Sequence, residues 1–171
     1  DARVVAAFGA DLGLGPVAIE RAPGRQNRRG RLDREAAHDR LSGRDAPALN
    51  RDLHTACLSI ARDDKAGQAW CRANAYHGYT SYSSLNDLPT RAPQFADLAR
   101  HLDRHVARFA RKLHYDLARK LKLDSIWINV LEPGGTHSGH IHPNSVFSGT
   151  LYVDIPDGAS ALRFEDPRLA M

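Results

Sequence analysis

The residues with most chemistry to offer are His137, His140 and His142, which fall within six positions of Gly134-Gly135-Thr136-His137-Ser138-Gly139-His140-Ile141-His142-Pro143. Imidazole is the commonest neutral metal ligand, because its unperturbed pKa of about 6.5 leaves a lone pair free near neutrality. His140 and His142 are separated by one residue, and side chains two apart on an extended chain point to the same side. The spacing predicts that both rings reach one transition-metal ion; iron, zinc and copper all accept imidazole. A lone histidine is ordinarily a hydrogen-bonding residue of the surface. Three in so short a stretch, beside glycines that keep the backbone open, point to a metal site.

The flanking segments must hold these rings. Ile126-Trp127-Ile128-Asn129-Val130-Leu131 is an apolar run entering through Glu132-Pro133-Gly134-Gly135. Val146 to Ile155 leads out, and in it Thr150, Tyr152 and Asp154 alternate with Leu151, Val153 and Ile155, the period of a half-buried strand. The expectation is a strand, a histidine-bearing edge and a second strand. Pro156-Asp157-Gly158 then reads as a turn, and Ala161 to Phe164 as a further strand.

Upstream, Phe95, Leu98, Leu102, Val106, Phe109, Leu113, Leu117 and Leu121 recur every three or four residues and form one stripe on a helix from Pro93 to about Leu121. Arg100, Arg104, Arg108, Arg111 and Lys122 gather opposite, partly offset by Asp97, Asp103 and Asp116. This is a solvated basic face, with His101, His105 and His114 as surface residues. Leu53, Cys57, Leu58 and Ile60 predict another helix over Asn50 to Ala61, with Asn50 as its N-cap, ended by a turn at Asp63-Asp64-Lys65-Ala66-Gly67. Trp70 to Leu88 is polar and aromatic, and reads as a loop or strand that packs on a sheet and lines a cleft. His77 within it is a further candidate ligand that nothing in the sequence brings near the others.

Residues 1–49 are rich in Ala, Gly and Arg, with Arg28-Arg29-Gly30-Arg31 in the middle, and bury too little to offset chain entropy. They are expected to be a poorly structured lead, in which Val4 to Phe8 allows a short edge strand. Residues 50–171 then form the domain. A helix followed by strands implies an α+β fold, a helix packed on an antiparallel sandwich or jelly roll.

At 171 residues and 42% hydrophobic content, the chain has material for one cored domain. The net charge of +4 comes from 24 basic and 20 acidic residues that interleave, and aromatics are only 7%, so nucleic acid is not the expected partner. Cys57 and Cys71 are the only cysteines and no apolar leader precedes them, which fits a reducing cytoplasm rather than a disulfide scaffold. No run approaches the ~18 apolar residues that span a bilayer. The chain begins at Asp1 and stops at Met171, straight after Phe164-Glu165-Asp166-Pro167-Arg168, and so reads as a fragment whose sheet lacks its last strands. An unfinished sheet leaves an edge through which a homodimer could pair.

Ser125-Ile126-Trp127-Ile128-Asn129-Val130, Gly134-Gly135, His137-Ser138-Gly139-His140-Ile141-His142-Pro143-Asn144-Ser145, Ser148-Gly149-Thr150-Leu151-Tyr152-Val153 and Phe164-Glu165-Asp166-Pro167-Arg168 together resemble the bacterial and phage 2-oxoglutarate and iron(II)-dependent oxygenases of the prolyl-hydroxylase-like group. The similarity extends over roughly Asn50 to Met171. It implies a double-stranded β-helix (jelly roll) supported by the long helix, Fe(II) and 2-oxoglutarate as cofactors, and dioxygen consumed in hydroxylating a substrate the sequence does not name. In that family iron is held by two histidines and a carboxylate, the first two ligands forming a His-x-Asp pair. The pair lands on His140 and His142, so histidine stands where aspartate is expected; the site gains one positive charge, and a three-histidine centre becomes an option. A second departure is that no His and no Arg follow Arg168, so the distal ligand and the basic partner of the cosubstrate carboxylate are missing from this chain. The resemblance makes Tyr152 the candidate for a hydrogen bond to 2-oxoglutarate, with Asn129 and Ser148 in the same cavity and His137 beside the ligands rather than on the ion.

Two other functions compete. Gly134 followed by His140-Ile141-His142 fits the start of a metal cupin motif, a dioxygenase or isomerase without 2-oxoglutarate. The glutamate expected four or five positions later is absent, as Val146 and Phe147 occupy that region. A non-catalytic jelly-roll module that uses the arginine-bearing helix on phosphates is the other; its binding would weaken with salt and ignore iron.

Overall fold

A computed structural model describes residues 3–11, 45–119, 121–140, 142 and 145–159. Strands β1 (Arg3–Asp11), β2 (Gly78–Thr80), β3 (Lys122–Leu131) and β4 (Phe147–Asp154) form one sheet in the order β2-β3-β1-β4, with every neighbouring pair antiparallel. Helices α1 (Ala46–Asp63), α2 (Lys65–Ala73), α3 (Leu88–Arg91) and α4 (Pro93–Lys112) complete an α+β arrangement.

The alternation of β3 assigns the two faces of the sheet. Ile126, Ile128 and Val130 join one continuous core with Leu53 and Cys57 of α1 and Phe95, Leu98, Leu102, Val106 and Phe109 of α4. Trp127, Asn129 and Leu131 are also buried but point to the opposite face. The apolar run is thus continuous because both of its sides are covered, as strands buried on two faces require. From β4, Phe147, Leu151 and Val153 pack on the helix side, where Phe147 meets Phe109 and Tyr115 at ring-centroid distances of 5.7 and 5.2 Å.

Several elements differ from the sequence reading. The strand anticipated at Val4 to Phe8 exists as β1, but it lies between β3 and β4 instead of at an edge, so the lead assigned to residues 1–49 contributes an interior strand. Hydrophobic pattern carries strand propensity but not pairing order. α1 starts four residues before Asn50, after Asp45; Asn50 lies inside it and donates its side-chain amide to the Val153 carbonyl at 3.0 Å. The turn expected over residues 63–67 is only Asp64, whose carboxylate accepts from Gly67 N–H at 3.0 Å and restarts the chain as α2, a helix that runs into the stretch from Trp70 where the sequence predicts a loop or strand.

α4 stops at Lys112, not near Leu121. His114 adopts φ 58°, and Tyr115 N–H reaches back to the Ala110 carbonyl at 3.0 Å, the bonding of a left-handed helix stop that glycine usually provides. Leu117 and Leu121 still reach the core, which is why the period gave no sign of the stop. The strand expected at Ala161 to Phe164 lies outside the described residues.

β3 and β4 both run antiparallel to β1, and so parallel to one another. β3 ends opposite Arg3, whereas β4 begins opposite Ala10. The connection between them must therefore travel the length of the sheet. It carries the three histidines, and it is not a strand edge: residues 135–140 are irregular, exposed backbone apart from half-buried Gly135.

Candidate functional site

The crossing segment lies on the face that holds Trp127 and Asn129. The His142 ring stacks on Trp127, with centroids 5.6 Å apart and planes 26° from parallel, and exposed Tyr82 abuts the same indole edge-on at 5.3 Å. His140 meets His142 with centroids 4.7 Å apart, and His137 meets His140 at the same 4.7 Å. Trp127 is buried, so this row of rings stands on a fixed floor.

Hydrogen bonds set the rings' tautomers. His140 Nδ1 lies 2.9 Å from the Ser138 carbonyl, which only accepts, so Nδ1 carries the proton and Nε2 presents a lone pair. His140 Nε2 is 2.9 Å from His142 Nε2. Two imidazole nitrogens bound to one metal at about 2.1 Å and 90° apart are separated by about 3.0 Å, so the pair already has the spacing of neighbouring ligands. With no ion present, one proton on His142 Nε2 bridges the two nitrogens; moving that proton to Nδ1 frees both lone pairs without changing the charge.

Burial and crowding favour the neutral form of His137 and His142. Partial burial, and then the neighbouring His140 and His142, lower the His137 pKa to about 4. Burial first and His140 second also lower that of His142. Neutral imidazoles are what a metal requires.

The other site residues anticipated from sequence fall on the same face. Across β1, the register aligns Asn129, Val5 and Tyr152 in one row, Trp127, Ala7 and Thr150 in the next, and Ser125, Gly9 and Ser148 in a third. Asn129 and Tyr152 are thus about 10 Å apart, two strand spacings. Asn129 is buried and its side-chain oxygen lies 3.4 Å from the Tyr76 hydroxyl. The Ser148 hydroxyl is buried with no hydrogen-bond partner among the described residues, a state that costs about 1–3 kcal/mol unless something else satisfies it. His77 is not brought to the pair; it lines a separate cavity of about 370 Å³ with Gln68, Arg72, Tyr76 and Glu132. Among the described residues no set of three His, Cys, Asp or Glu side chains converges on a single ion-sized point. The pair therefore fits two positions of a metal.

Tyr76 was missed as a site residue. Its hydroxyl lies 2.8 Å from His137 Nδ1, and the rings meet edge-on at 5.7 Å. The sequence offered only a tyrosine in a polar-aromatic stretch, sixty-one positions from its partner.

Residues 125–171 match the family model described as Putative 2OG-Fe(II) oxygenase. That is the family whose motifs were read in this segment. The match takes in most of β3, the histidine crossing and β4, and places the segment with the 2-oxoglutarate and iron(II) oxygenases in kind, without naming a substrate. No curated protein matches significantly. Among the described residues no helix is long and apolar enough to cross a membrane.

Proposed function

We propose that this protein is an Fe(II)- and 2-oxoglutarate-dependent oxygenase that hydroxylates a C–H bond of its substrate, with His140 and His142 as two of the iron ligands. The observation that carries the reading is the 2.9 Å separation of the two Nε2 atoms on a segment that matches the oxygenase family. Iron with 2-oxoglutarate would supply the oxidising power to break a C–H bond. The chain's own residues do the holding. Ser138 keeps the His140 lone pair outward, Trp127 supports the His142 ring, and the buried indole with Tyr82 shields one side of the pair from water.

The face beyond the pair suits a cosubstrate carboxylate. Ser148 has an unspent donor there, and Tyr152 lies one strand row from Trp127 on the same face. We assign both, with Asn129, to the 2-oxoglutarate cavity, and we read the four strands as part of a double-stranded β-helix. The two buried, unpaired thiols, Cys57 with its pKa pushed up to about 12 by burial, suit a reducing cytoplasm. Among the described residues β4 is an edge strand, which leaves room for a homodimer.

The test is conversion of 2-oxoglutarate to succinate by the full protein with Fe(II) and dioxygen. His140→Ala and His142→Ala should each lower it at least a hundredfold while leaving the fold intact by circular dichroism. Unchanged turnover in both would remove the reading. Metal-dependent chemistry with no succinate would move it to the cupin class.

A further inference from the structure

We propose that Tyr76 is a positioning residue for the histidine pair, acting through His137, and that the 74–78 turn is the platform on which the histidine crossing is seated; this rests on the metal-site reading above. Three independent observations meet at this turn. Ala75 holds φ 51°, a left-handed conformation uncommon for a residue with a side chain, and Tyr76 follows it directly. The backbone of the crossing is pressed onto the same turn at Gly135, where a Cβ would stand 2.5 Å from the His77 carbonyl and 2.9 Å from that of Glu132. The Tyr76 hydroxyl then touches both His137 Nδ1 and the buried Asn129.

The direction of these bonds follows from what each atom can do. The Asn129 side-chain oxygen only accepts, so a tyrosine proton aimed at His137 would leave two oxygens facing each other inside the protein. The arrangement that satisfies all three groups has Tyr76 donating to Asn129 and accepting from His137 Nδ1–H. His137 is then fixed in the same tautomer as His140, with its ring edge against that ring at 4.7 Å. The Trp70 ring also neighbours the phenol, with centroids 6.5 Å apart. Residues 136–140 of the crossing are exposed, and this contact and the His142–Trp127 stack are two of the contacts that seat it.

The experiment compares the full protein with Tyr76→Phe, His137→Ala, Tyr76→Phe/His137→Ala and His140→Ala, using Co(II) as a probe of the site and side-chain 15N NMR of the metal-free protein. In the wild type His137 should show a single Nδ1–H tautomer, which Tyr76→Phe converts to a mixture. Tyr76→Phe should raise the Co(II) dissociation constant severalfold, less than the ~10-fold or more that loss of a ligand's direct partner costs, because it acts one contact further out, through His137. The double variant should bind no more weakly than His137→Ala alone. Gly135→Ala, which lifts the crossing off the turn by crowding the His77 and Glu132 carbonyls while leaving every hydrogen-bonding side chain in place, should weaken Co(II) binding similarly. Wild-type tautomer and affinity in Tyr76→Phe would overturn the proposal while leaving the metal site standing. Wild-type Co(II) binding by His140→Ala would instead overturn the metal reading itself.

Discussion

His137 has its neutral form enforced by partial burial and then by its neighbours, and that has a consequence for stability. Its folded pKa lies near 4, below the unfolded value of about 6.5, and that of His142 is lowered too. As pH falls below about 6.5 the unfolded chain takes up protons that the folded one refuses, so the native state loses stability until the folded pKa is reached. The effect is small because the His137 ring is solvent-exposed on one side. Urea denaturation followed between about pH 6.5 and 4 should show this decline, and His137→Asn should flatten it. An equal slope in the variant would mean that burial and the neighbouring rings do not hold His137 neutral. At this scale the candidate was legible: the types and spacing of His137, His140 and His142 marked them as a group, and the structure brings the three rings into contact. Tyr76 was not, because nothing local distinguishes a tyrosine that will bond to a histidine from one that will face water.

Among the elements, the junction of α1 and α2 depends on a single carboxylate. Asp64 accepts from Gly67 N–H, from the Tyr79 hydroxyl at 2.7 Å and from the Ser84 hydroxyl, so it ties two helices to β2 and the loop after it. Partial burial works to raise its pKa, but these hydrogen bonds, led by that of Ser84, outweigh it and hold the carboxyl below its usual range. Gly67 sits inside this network, where a Cβ would collide with the Asp64 carboxylate and come within 2.8 Å of Ser84 Oγ and 2.9 Å of the Tyr79 ring. Gly67→Ala is expected to destabilise the protein by about 1–3 kcal/mol despite alanine's better helix propensity; a denaturation midpoint equal to wild type would show that the network yields freely. The long helix shows the complementary limit of pattern reading. Its stripe of Phe95 to Phe109 was readable, whereas its stop was not, because His114 takes the left-handed conformation that a glycine would have advertised.

For the whole molecule, the interior position of β1 matters most. It separates β3 from β4, and by making them parallel it forces the intervening segment to cross the sheet and lay its histidines over Trp127. Ala6 lies mid-strand, paired with Ile128 on one side and Leu151 on the other. Ala6→Pro removes a ladder donor from an interior strand and should cost more than about 3 kcal/mol. It should abolish Co(II) binding along with cooperative melting, although it lies in a different part of the chain from the histidines. Retention of both would place β1 outside the folded unit.

The sequence by itself determined the α+β composition, the core stripe of the long helix, the strands flanking the histidines and the oxygenase likeness carried by the motifs between Ser125 and Arg168. These reside in periodicity and short motifs, which need no knowledge of distant partners. Only the tertiary structure decided that an alanine- and glycine-rich N-terminal segment supplies an interior strand, that Asn129, Ser148 and Tyr152 share a face with the rings, and that Tyr76 meets His137. Each of these is a pairing between residues remote in sequence, selected by burial and hydrogen-bond satisfaction once the sheet is assembled, and no local pattern encodes it.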